Sequence, residues 1–261
     1  MEHKYGYWLP PNISAHGAGI DQLITFLHYF MAVLFIGWGI YLVYCLIAFR
    51  ERPGHSADIT PKHFGVPKFL EIGIVLIEVC LLVFFSYPIW AKVKTEFPNE
   101  KDAIRIDVTA EQFAWNIHYP GKDGVFGKTS IEKIDGTNPI GIDRESAEGK
   151  DDLLVLNEMK IPVNKPVIVT LRSKDVIHSF AIPVMRVKQD AIPGMDIPIW
   201  FEAKETGQYE IGCAQLCGIG HYRMKANFTV LSQEDYDKWL DEEHKALGLE
   251  AAPTAASTET K

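Results

Sequence analysis

Near its C-terminal end the chain reads Cys213-Ala214-Gln215-Leu216-Cys217-Gly218-Ile219-Gly220-His221-Tyr222-Arg223-Met224. This segment offers two thiols, one imidazole and one thioether within twelve residues. Soft or borderline copper prefers such ligands, whereas magnesium prefers oxygen and a structural zinc site rarely recruits methionine. The segment therefore predicts a copper site held by Cys213, Cys217, His221 and Met224.

Each of these residues also has an ordinary structural explanation. A C-x-x-x-C pair can form a local disulfide, or its two thiols can be buried as small apolar groups. A histidine can lie at the surface and a methionine can fill a core. Four such residues in one short segment, with Gly218 and Gly220 loosening the backbone between them, favour the copper interpretation.

A fifth ligand is predicted upstream. His178 lies in an alternating, β-branched segment that reads as a strand. A mononuclear blue-copper site uses one cysteine, two histidines and a weak axial methionine. This chain offers a second cysteine in addition to that set, which suggests two copper ions bridged by both sulfurs.

The ligand motif and its surroundings resemble a known family. The run C-x-x-x-C-x-x-x-H-x-x-M follows Asp175-Val176-Ile177-His178-Ser179-Phe180-Ala181-Ile182-Pro183 and Lys188-Gln189-Asp190-Ala191-Ile192-Pro193-Gly194. Together these segments are similar to subunit II of cytochrome c oxidase. The resemblance extends from the apolar N-terminal segments to about Val230. It implies that the site is the binuclear copper centre called CuA.

The resemblance also implies a role for each ligand. Cys213 and Cys217 would bridge both coppers. His178 and Met224 would complete one copper, while His221 and the backbone carbonyl of Gln215 would complete the other.

The implied function is electron transfer in an aa3-type oxidase. Cytochrome c, or a donor complex containing it, would reduce CuA, and the electron would pass to the haem–copper centres of subunit I for oxygen reduction and proton pumping. No C-x-x-C-H motif occurs, so we expect no haem in this chain. The net charge of -8 is compatible with steering a basic cytochrome. No phosphate loop or basic nucleic-acid patch is present, so we expect no nucleic-acid partner.

Two apolar runs predict a membrane hairpin. Residues 22–49 contain no charged side chain, and residues 69–91 form a second run; each is long enough to cross the lipid core. The intervening loop carries Arg50, Arg52, Lys62 and Lys68, which places it in the cytoplasm by the positive-inside rule. The N-terminus and the copper domain would then face the periplasm, outside the inner membrane of a bacterium.

The second run contains two glutamates, Glu71 and Glu78, on roughly one helix face. An ionisable group at membrane depth is costly and usually faces protein or water. Glu71 resembles the glutamate with which subunit II forms the mouth of a proton channel into subunit I, and Glu78 is a weaker candidate.

Short alternating segments follow the hairpin and predict a membrane-anchored, mainly β protein with a cupredoxin-like Greek-key barrel. The predicted strands span residues 104–110, 112–118, 153–157, 167–173, 176–182, 197–203, 208–213 and 226–231. Residues 119–152 read as a loop rather than a subunit contact, and a capped helix begins near Ser232. The predicted divisions are an outer segment 1–20, hairpin 21–95, copper domain 96–231, helix 232–248 and disordered tail 249–261.

The chain departs from the family pattern in two places. Gln215 stands where the family has a glutamate whose side chain reaches a magnesium or manganese ion at the border with subunit I. A neutral amide is a poorer ligand for a hard cation, so this metal is left open. Gln112-Phe113-Ala114-Trp115 occupies the place where the family has Q-W-Y-W. The first tryptophan of that motif is the one assigned in the family to receive electrons from cytochrome c. Phe113 and Trp115 are therefore both electron-input candidates, and Trp115 reads equally well as a packed core residue.

Three alternatives belong to other classes of protein. Nitrous oxide reductase has a similar ligand run, but two membrane helices argue against that enzyme. Subunit II of a quinol oxidase would lack the copper ligands, which are present here. A membrane-anchored copper chaperone or storage protein would be expected to offer an exposed, exchangeable site.

Overall fold

Two compact units make up the chain. The computed structural model describes residues 9–54, 56, 60 and 66–248. One unit combines the N-terminal segment up to Gly17 with the chain from Phe97 onward, and the other spans Ala18–Glu96. The tail 249–261, which was predicted to be disordered, and much of the predicted cytoplasmic loop lie outside the described residues.

The Ala18–Glu96 unit is helical and apolar. Its helices are α1 (Gly17–Ala48), α2 (Val66–Leu81) and α3 (Tyr87–Lys94), and a π-helical turn at Leu82–Ser86 joins the last two. Within the described residues, Gly17–Ala48 and Lys68–Lys94 are long and apolar enough to cross a membrane, and neither is buried against protein. The shorter span, at 27 residues, is about 40 Å long and exceeds the lipid core. The predicted membrane-anchoring hairpin is confirmed.

Two five-stranded sheets form the β unit. In the described residues the strands are β1 (Ile104–Glu111), β2 (Ala114–Tyr119), β3 (Leu153–Leu156), β4 (Glu158–Pro162), β5 (Pro166–Ser173), β6 (His178–Ile182), β7 (Val187–Ala191), β8 (Ile197–Glu202), β9 (Gly207–Cys213) and β10 (Lys225–Leu231). One sheet has the order β3-β2-β1-β5-β8 and the other β4-β10-β9-β6-β7. The pairs β1–β5 and β4–β10 are parallel, and the other pairs are antiparallel.

The alternation of apolar residues builds the core between the sheets. Alternate residues of β5 and β10 are buried, so each strand presents one apolar face inward. The inward residues of these strands are Val167, Val169, Leu171, Ala226, Phe228 and Val230. The predicted cupredoxin-like fold is confirmed.

Two short strands differ from the sequence expectation. The strand predicted over residues 153–157 ends at Leu156, because Asn157, whose φ is 55°, turns the chain; the strand β4 that follows this turn was not predicted. β3 then pairs with β2 in one sheet, whereas β4 pairs with β10 in the other. The strand β7 was not predicted, because its polar residues lie at a sheet edge and do not show an apolar alternation.

The N-terminal segment joins the β unit. Ser14 forms a bridge to Ala203, just beyond β8. The backbone N–H of Ile13 donates to Val184 O at 3.0 Å, and Lys204 N–H donates to Ile13 O at 2.7 Å. Residues before α1 and residues after α3 therefore belong to one folded unit, so an even number of membrane crossings must separate them.

The excursion between β2 and β3 is ordered by one buried carboxylate. Asp152 accepts hydrogen bonds from His118 Nε2 at 2.6 Å and from the backbone N–H groups of Gly127 at 2.8 Å and Gly121 at 3.0 Å. This anchoring agrees with a loop that belongs to the domain. After β10, α4 (Gln233–Ala246) begins at the predicted cap, where Ser232 Oγ accepts Asp235 N–H at 3.1 Å.

Candidate metal centre

The predicted ligands meet at one end of the β4-β10-β9-β6-β7 sheet. β6 begins at His178, and β9 ends at Cys213 beside Phe180. β9 and β10 are antiparallel neighbours, so the connection 214–224 that joins them lies at this same end of the sheet. Strand order therefore brings together an upstream histidine and a downstream cysteine loop.

The sulfur atoms have the spacing of a metal site. Cys213 Sγ and Cys217 Sγ are 3.9 Å apart, and both cysteines are free thiols. A disulfide requires about 2.05 Å, so the local-disulfide alternative does not describe this structure. Cys213 Sγ lies 3.9 Å from His178 Nδ1, while Cys217 Sγ lies 3.7 Å from His221 Nδ1 and 3.7 Å from Met224 Sδ.

These separations fit ligands that share a metal ion. Two ligands bound to one tetrahedral metal through sulfur or imidazole nitrogen are about 3.3–3.8 Å apart. The donor atoms of His178, Cys213 and Cys217 all lie within 4.8 Å of one another. The carbonyl oxygen of Gln215 is 3.2 Å from Cys213 Sγ and supplies a further donor at the same place. The residues present therefore fit a copper centre.

Burial makes the Cys217 thiol hold its proton. Burial, reinforced by the neighbouring Cys213 sulfur, raises the pKa of the Cys217 thiol to about 11. Two adjacent thiolates would repel each other in this environment. A bound cation that displaces the protons relieves this repulsion, as metal binding to cysteine generally does.

Asp175 orients the His178 imidazole through a hydrogen bond to the ring nitrogen that faces away from the cysteines. The Nε2–H of His178 donates a hydrogen bond to Asp175 Oδ1 at 2.8 Å. The other ring nitrogen, Nδ1, then carries the lone pair that can bind a metal, and it faces the cysteines. Burial alone would raise the pKa of Asp175, but hydrogen bonds from His178 and from the backbone N–H groups of Gln112 and Val176 outweigh it and hold that pKa below its ordinary value. The carboxylate is thus anionic at neutral pH and supports the imidazole.

The turn between β1 and β2 lies against the ligand loop. Gln112 Nε2 donates to the backbone oxygen of Cys217 at 2.5 Å. The neighbouring Phe113 ring contacts the backbone of Gly218 and Gly220. Phe113 is only partly buried, so one aromatic electron-input candidate reaches the surface beside the ligands.

Trp115 occupies a different environment. It is completely buried and packs edge-on against His178, with ring centroids 6.2 Å apart, and against Phe180 at 5.4 Å. Its position beside the ligand histidine is that of a packed core residue, and a donor protein cannot touch it directly.

The ligand loop also exposes three large apolar side chains. Ile219 is 93% exposed, Tyr222 86% and Leu216 76%. Sequence reasoning did not single out these residues, although they alternate with the ligands. It also did not assign a role to Asp175 or to the side chain of Gln112; the spacing Asp175-x-x-His178 was the one available signal.

Known proteins are similar to this chain in sequence over most of its length. The family model described as "Cytochrome C oxidase subunit II, periplasmic domain" matches residues 104–230. The alternative cytochrome c oxidase subunit 2 of Bradyrhizobium diazoefficiens is 30% identical over 248 residues, which covers 95% of this chain and 88% of that protein. The chain belongs to the cytochrome c oxidase subunit II family. It is accordingly a subunit of a haem–copper oxidase, an oxidoreductase complex.

Other subunit II proteins are similar over most of their length. The cytochrome c oxidase subunit 2 of Cereibacter sphaeroides is 30% identical over 253 residues, covering 91% of this chain and 80% of that protein. The crystal structure of the periplasmic domain of subunit II from Bradyrhizobium japonicum has 31% identity and a TM-score of 0.43, covering 58% of this chain and 99% of that chain.

The other predicted site residues of this subunit II lie apart from the ligand cluster in sequence. Glu71 lies in α2, five residues after its first residue, and Glu78 follows seven residues later; both side chains are exposed in the isolated chain. Gln215 contributes its backbone carbonyl to the ligand cluster and carries no side-chain carboxylate for a hard cation.

Proposed function

We propose that this chain accepts single electrons from cytochrome c, or from a donor complex containing it, and passes them to subunit I of an aa3-type oxidase. The observation that carries the proposal is the pair of thiols 3.9 Å apart within a set of two imidazoles, one thioether and one carbonyl. A mononuclear blue-copper site needs one cysteine, whereas two cysteines can bridge two metals.

The proposed ligand assignment is the one that the resemblance to subunit II implies, and the clustering of these side chains supports it. Cys213 and Cys217 would bridge a binuclear CuA centre. His178 and Met224 would complete one copper, and His221 with the carbonyl of Gln215 would complete the other. When bound, the copper pair would supply one-electron redox chemistry shared between two ions.

The protein's own contribution is to hold these ligands still. His178 and Cys213 lie in paired strands, and the indole of Trp115 packs behind the His178 ring. His178 has no exposed surface, while Met224 is 2% and Cys217 4% exposed. Cys213 and His221 are half-buried. Ligands that are held in place and largely shielded from water need little rearrangement when the charge of the site changes. Such a closed site also disfavours the chaperone alternative, which requires copper to be exchanged.

The surface around the ligands would receive the donor. Phe113 reaches the surface and contacts the backbone between Cys217 and His221, so it is the proposed electron-input side chain. The acidic net charge of -8 would attract a basic cytochrome over a distance. Association driven in this way should weaken as ionic strength rises.

The membrane unit would anchor the chain in lipid and bind subunit I and the other oxidase subunits. Two spans and the basic residues between them support a periplasmic copper domain in a bacterial inner membrane. Glu71 is the proposed mouth of a proton channel into subunit I. Glu71→Gln should slow oxidase turnover without slowing electron acceptance, and an unchanged turnover would remove this role. A magnesium or manganese ion at the subunit I border is not part of the proposal, because Gln215 lacks the carboxylate.

Electron acceptance can be tested on the assembled oxidase. Reduced cytochrome c would be mixed rapidly with complexes containing the wild-type chain, Cys217→Ser or the matched control Cys80→Ser, whose thiol lies in α2. We expect the fast electron-transfer phase to be lost only in Cys217→Ser. A fast phase that persists without the Cys217 thiol would contradict the proposal.

A further inference from the structure

One residue of the β1–β2 turn connects two distant parts of the metal centre. The backbone N–H of Gln112 donates to Asp175 Oδ2 at 2.7 Å, and its side-chain Nε2 donates to the backbone oxygen of Cys217 at 2.5 Å. These partners are 63 and 105 residues away in sequence. Gln112 therefore joins the segment before β6 to the loop after β9.

The connection continues to the first ligand. The other oxygen of the same carboxylate, Asp175 Oδ1, accepts the Nε2–H of His178 at 2.8 Å. An unbroken series of hydrogen bonds thus runs from His178 through Asp175 and Gln112 to the peptide of Cys217. No hydrogen bond in this series passes through a metal ion, so the protein alone supplies the whole series.

The next residue reinforces the same contact. A β-carbon built on Gly218 would lie 2.7 Å from Gln112 Nε2, and one built on Gly220 would lie 2.7 Å from Cε2 of Phe113. Real β-carbons do not approach other atoms so closely, so the two glycines allow the turn to lie flat on the ligand loop. The loop is held at Cys217 by a hydrogen bond and just beyond it by van der Waals contact.

We propose that Gln112 is a positioning residue that sets the distance between His178 and the cysteine loop before copper arrives. By holding the Cys217 peptide, it keeps the two sulfurs 3.9 Å apart as a dithiol ready for metal and opposes their closure into a disulfide. The inference deepens the proposed copper function and rests on it. A ligand set that is already in place loses less conformational freedom on binding, which raises its affinity for metal.

The first test measures disulfide closure in the metal-free protein. The full-length chain, with Cys45→Ser and Cys80→Ser as background, is purified in mild detergent, reduced and freed of copper. Oxidised glutathione is then added. Cys213 and Cys217 give up two protons and two electrons as their S–S bond forms, and each oxidised glutathione becomes two reduced molecules.

Gln112→Ala and Gln112→Glu both retain the backbone N–H but lose the amide donor to Cys217. We expect both to close the disulfide about fivefold faster than the parent, the effect of losing one ordinary hydrogen bond. Gln208→Ala, which removes an exposed amide from β9, is the matched control and should close at the parent rate.

A second readout concerns the loaded centre. The affinity for copper, measured by competition with a chelator, should fall about tenfold in the Gln112 variants. A loss of this size is typical when a hydrogen-bond partner that supports the metal ligands is removed. Their copper hyperfine splitting should also change, which a general loss of stability would not cause. The thermal unfolding of each variant shows whether it is folded, and Gln112→Glu keeps the test valid if Gln112→Ala is not.

The outcomes separate this inference from the proposed function. Folded Gln112 variants that match the parent in closure rate, copper retention and spectrum would overturn the positioning role, even where the parent binds two coppers. A parent chain that holds no binuclear copper would overturn the proposed function, whereas faster disulfide closure in the Gln112 variants would still support the positioning role.

Discussion

Asp175 is hydrogen-bonded to the imidazole of His178, one of the predicted copper ligands. Its carboxylate accepts the His178 Nε2–H at 2.8 Å and faces the site with a full negative charge. A carboxylate in this position makes the imidazole a stronger electron donor and fixes its ring. Among the described residues, it is the acidic side chain in direct contact with a predicted ligand.

The change Asp175→Asn should weaken copper binding about tenfold, since the partner behind a ligand is lost. It should also raise the reduction potential, because removing a nearby negative charge disfavours the oxidised, more positive state. Chelator competition and potentiometric titration measure the two effects. Asp102→Asn, at an exposed position, is the control; an unchanged potential in Asp175→Asn would contradict this role.

Trp115 should matter for stability rather than for contact with the donor. Trp115→Ala should lower the free energy of unfolding by about 3–5 kcal/mol, because a large buried ring is removed. Trp115→Phe keeps an aromatic ring and should leave the rate of electron acceptance from cytochrome c nearly unchanged. Denaturant unfolding and rapid mixing check these expectations. A stable Trp115→Phe protein with slow electron acceptance would instead make the indole part of the electron path.

The cluster of candidate ligands could be identified from the sequence, but the residues that support it could not. The predicted copper ligands are of rare residue types and four of them occur close together, so the sequence indicates their chemistry. Gln112 reaches its partners across 63 and 105 residues, and a hydrogen bond between such distant residues leaves no periodic pattern. The fold had to be known before these contacts could be identified.

The ligand loop and the β1–β2 turn should behave as one element. A methyl group on Gly220 would collide with the Phe113 ring, so Gly220→Ala should cost about 1–3 kcal/mol and disturb the copper spectrum. Phe113→Ala in the same chain should relieve much of that cost. Gly212→Ala is the control, since a β-carbon there meets nothing within 4 Å. Equal effects of Gly220→Ala with and without Phe113 would show that the two elements are independent.

Secondary structure was predictable where one apolar face is buried. β5 and β10 alternate clearly and their positions were predicted to within about two residues. β7 lies at a sheet edge and has polar side chains, so it shows no apolar alternation. The chain turns at Asn157 through a positive φ, which asparagine tolerates but does not require, so the residue type alone does not predict the turn. Strand pairing at such places is decided by the neighbouring strands.

At the scale of the whole molecule, the N-terminal segment and the β unit must share one side of the membrane. A membrane-impermeant maleimide applied to cells without an outer membrane should label Glu148→Cys, in the exposed excursion, but not Arg52→Cys, in the loop between the helices. Arg52→Cys should become reactive once the membrane is permeabilised. The reverse pattern would place the copper domain in the cytoplasm.

The binuclear nature of the centre can be measured directly on the full-length chain. The protein would be purified in detergent, reduced and loaded with copper, after which copper per chain is counted and the electron paramagnetic resonance spectrum recorded. We expect two coppers per chain and one unpaired electron whose signal is split by both copper nuclei, in the parent and in Cys80→Ser. One copper per chain with its spin localised on a single nucleus would contradict the binuclear centre and, with it, the proposed electron relay.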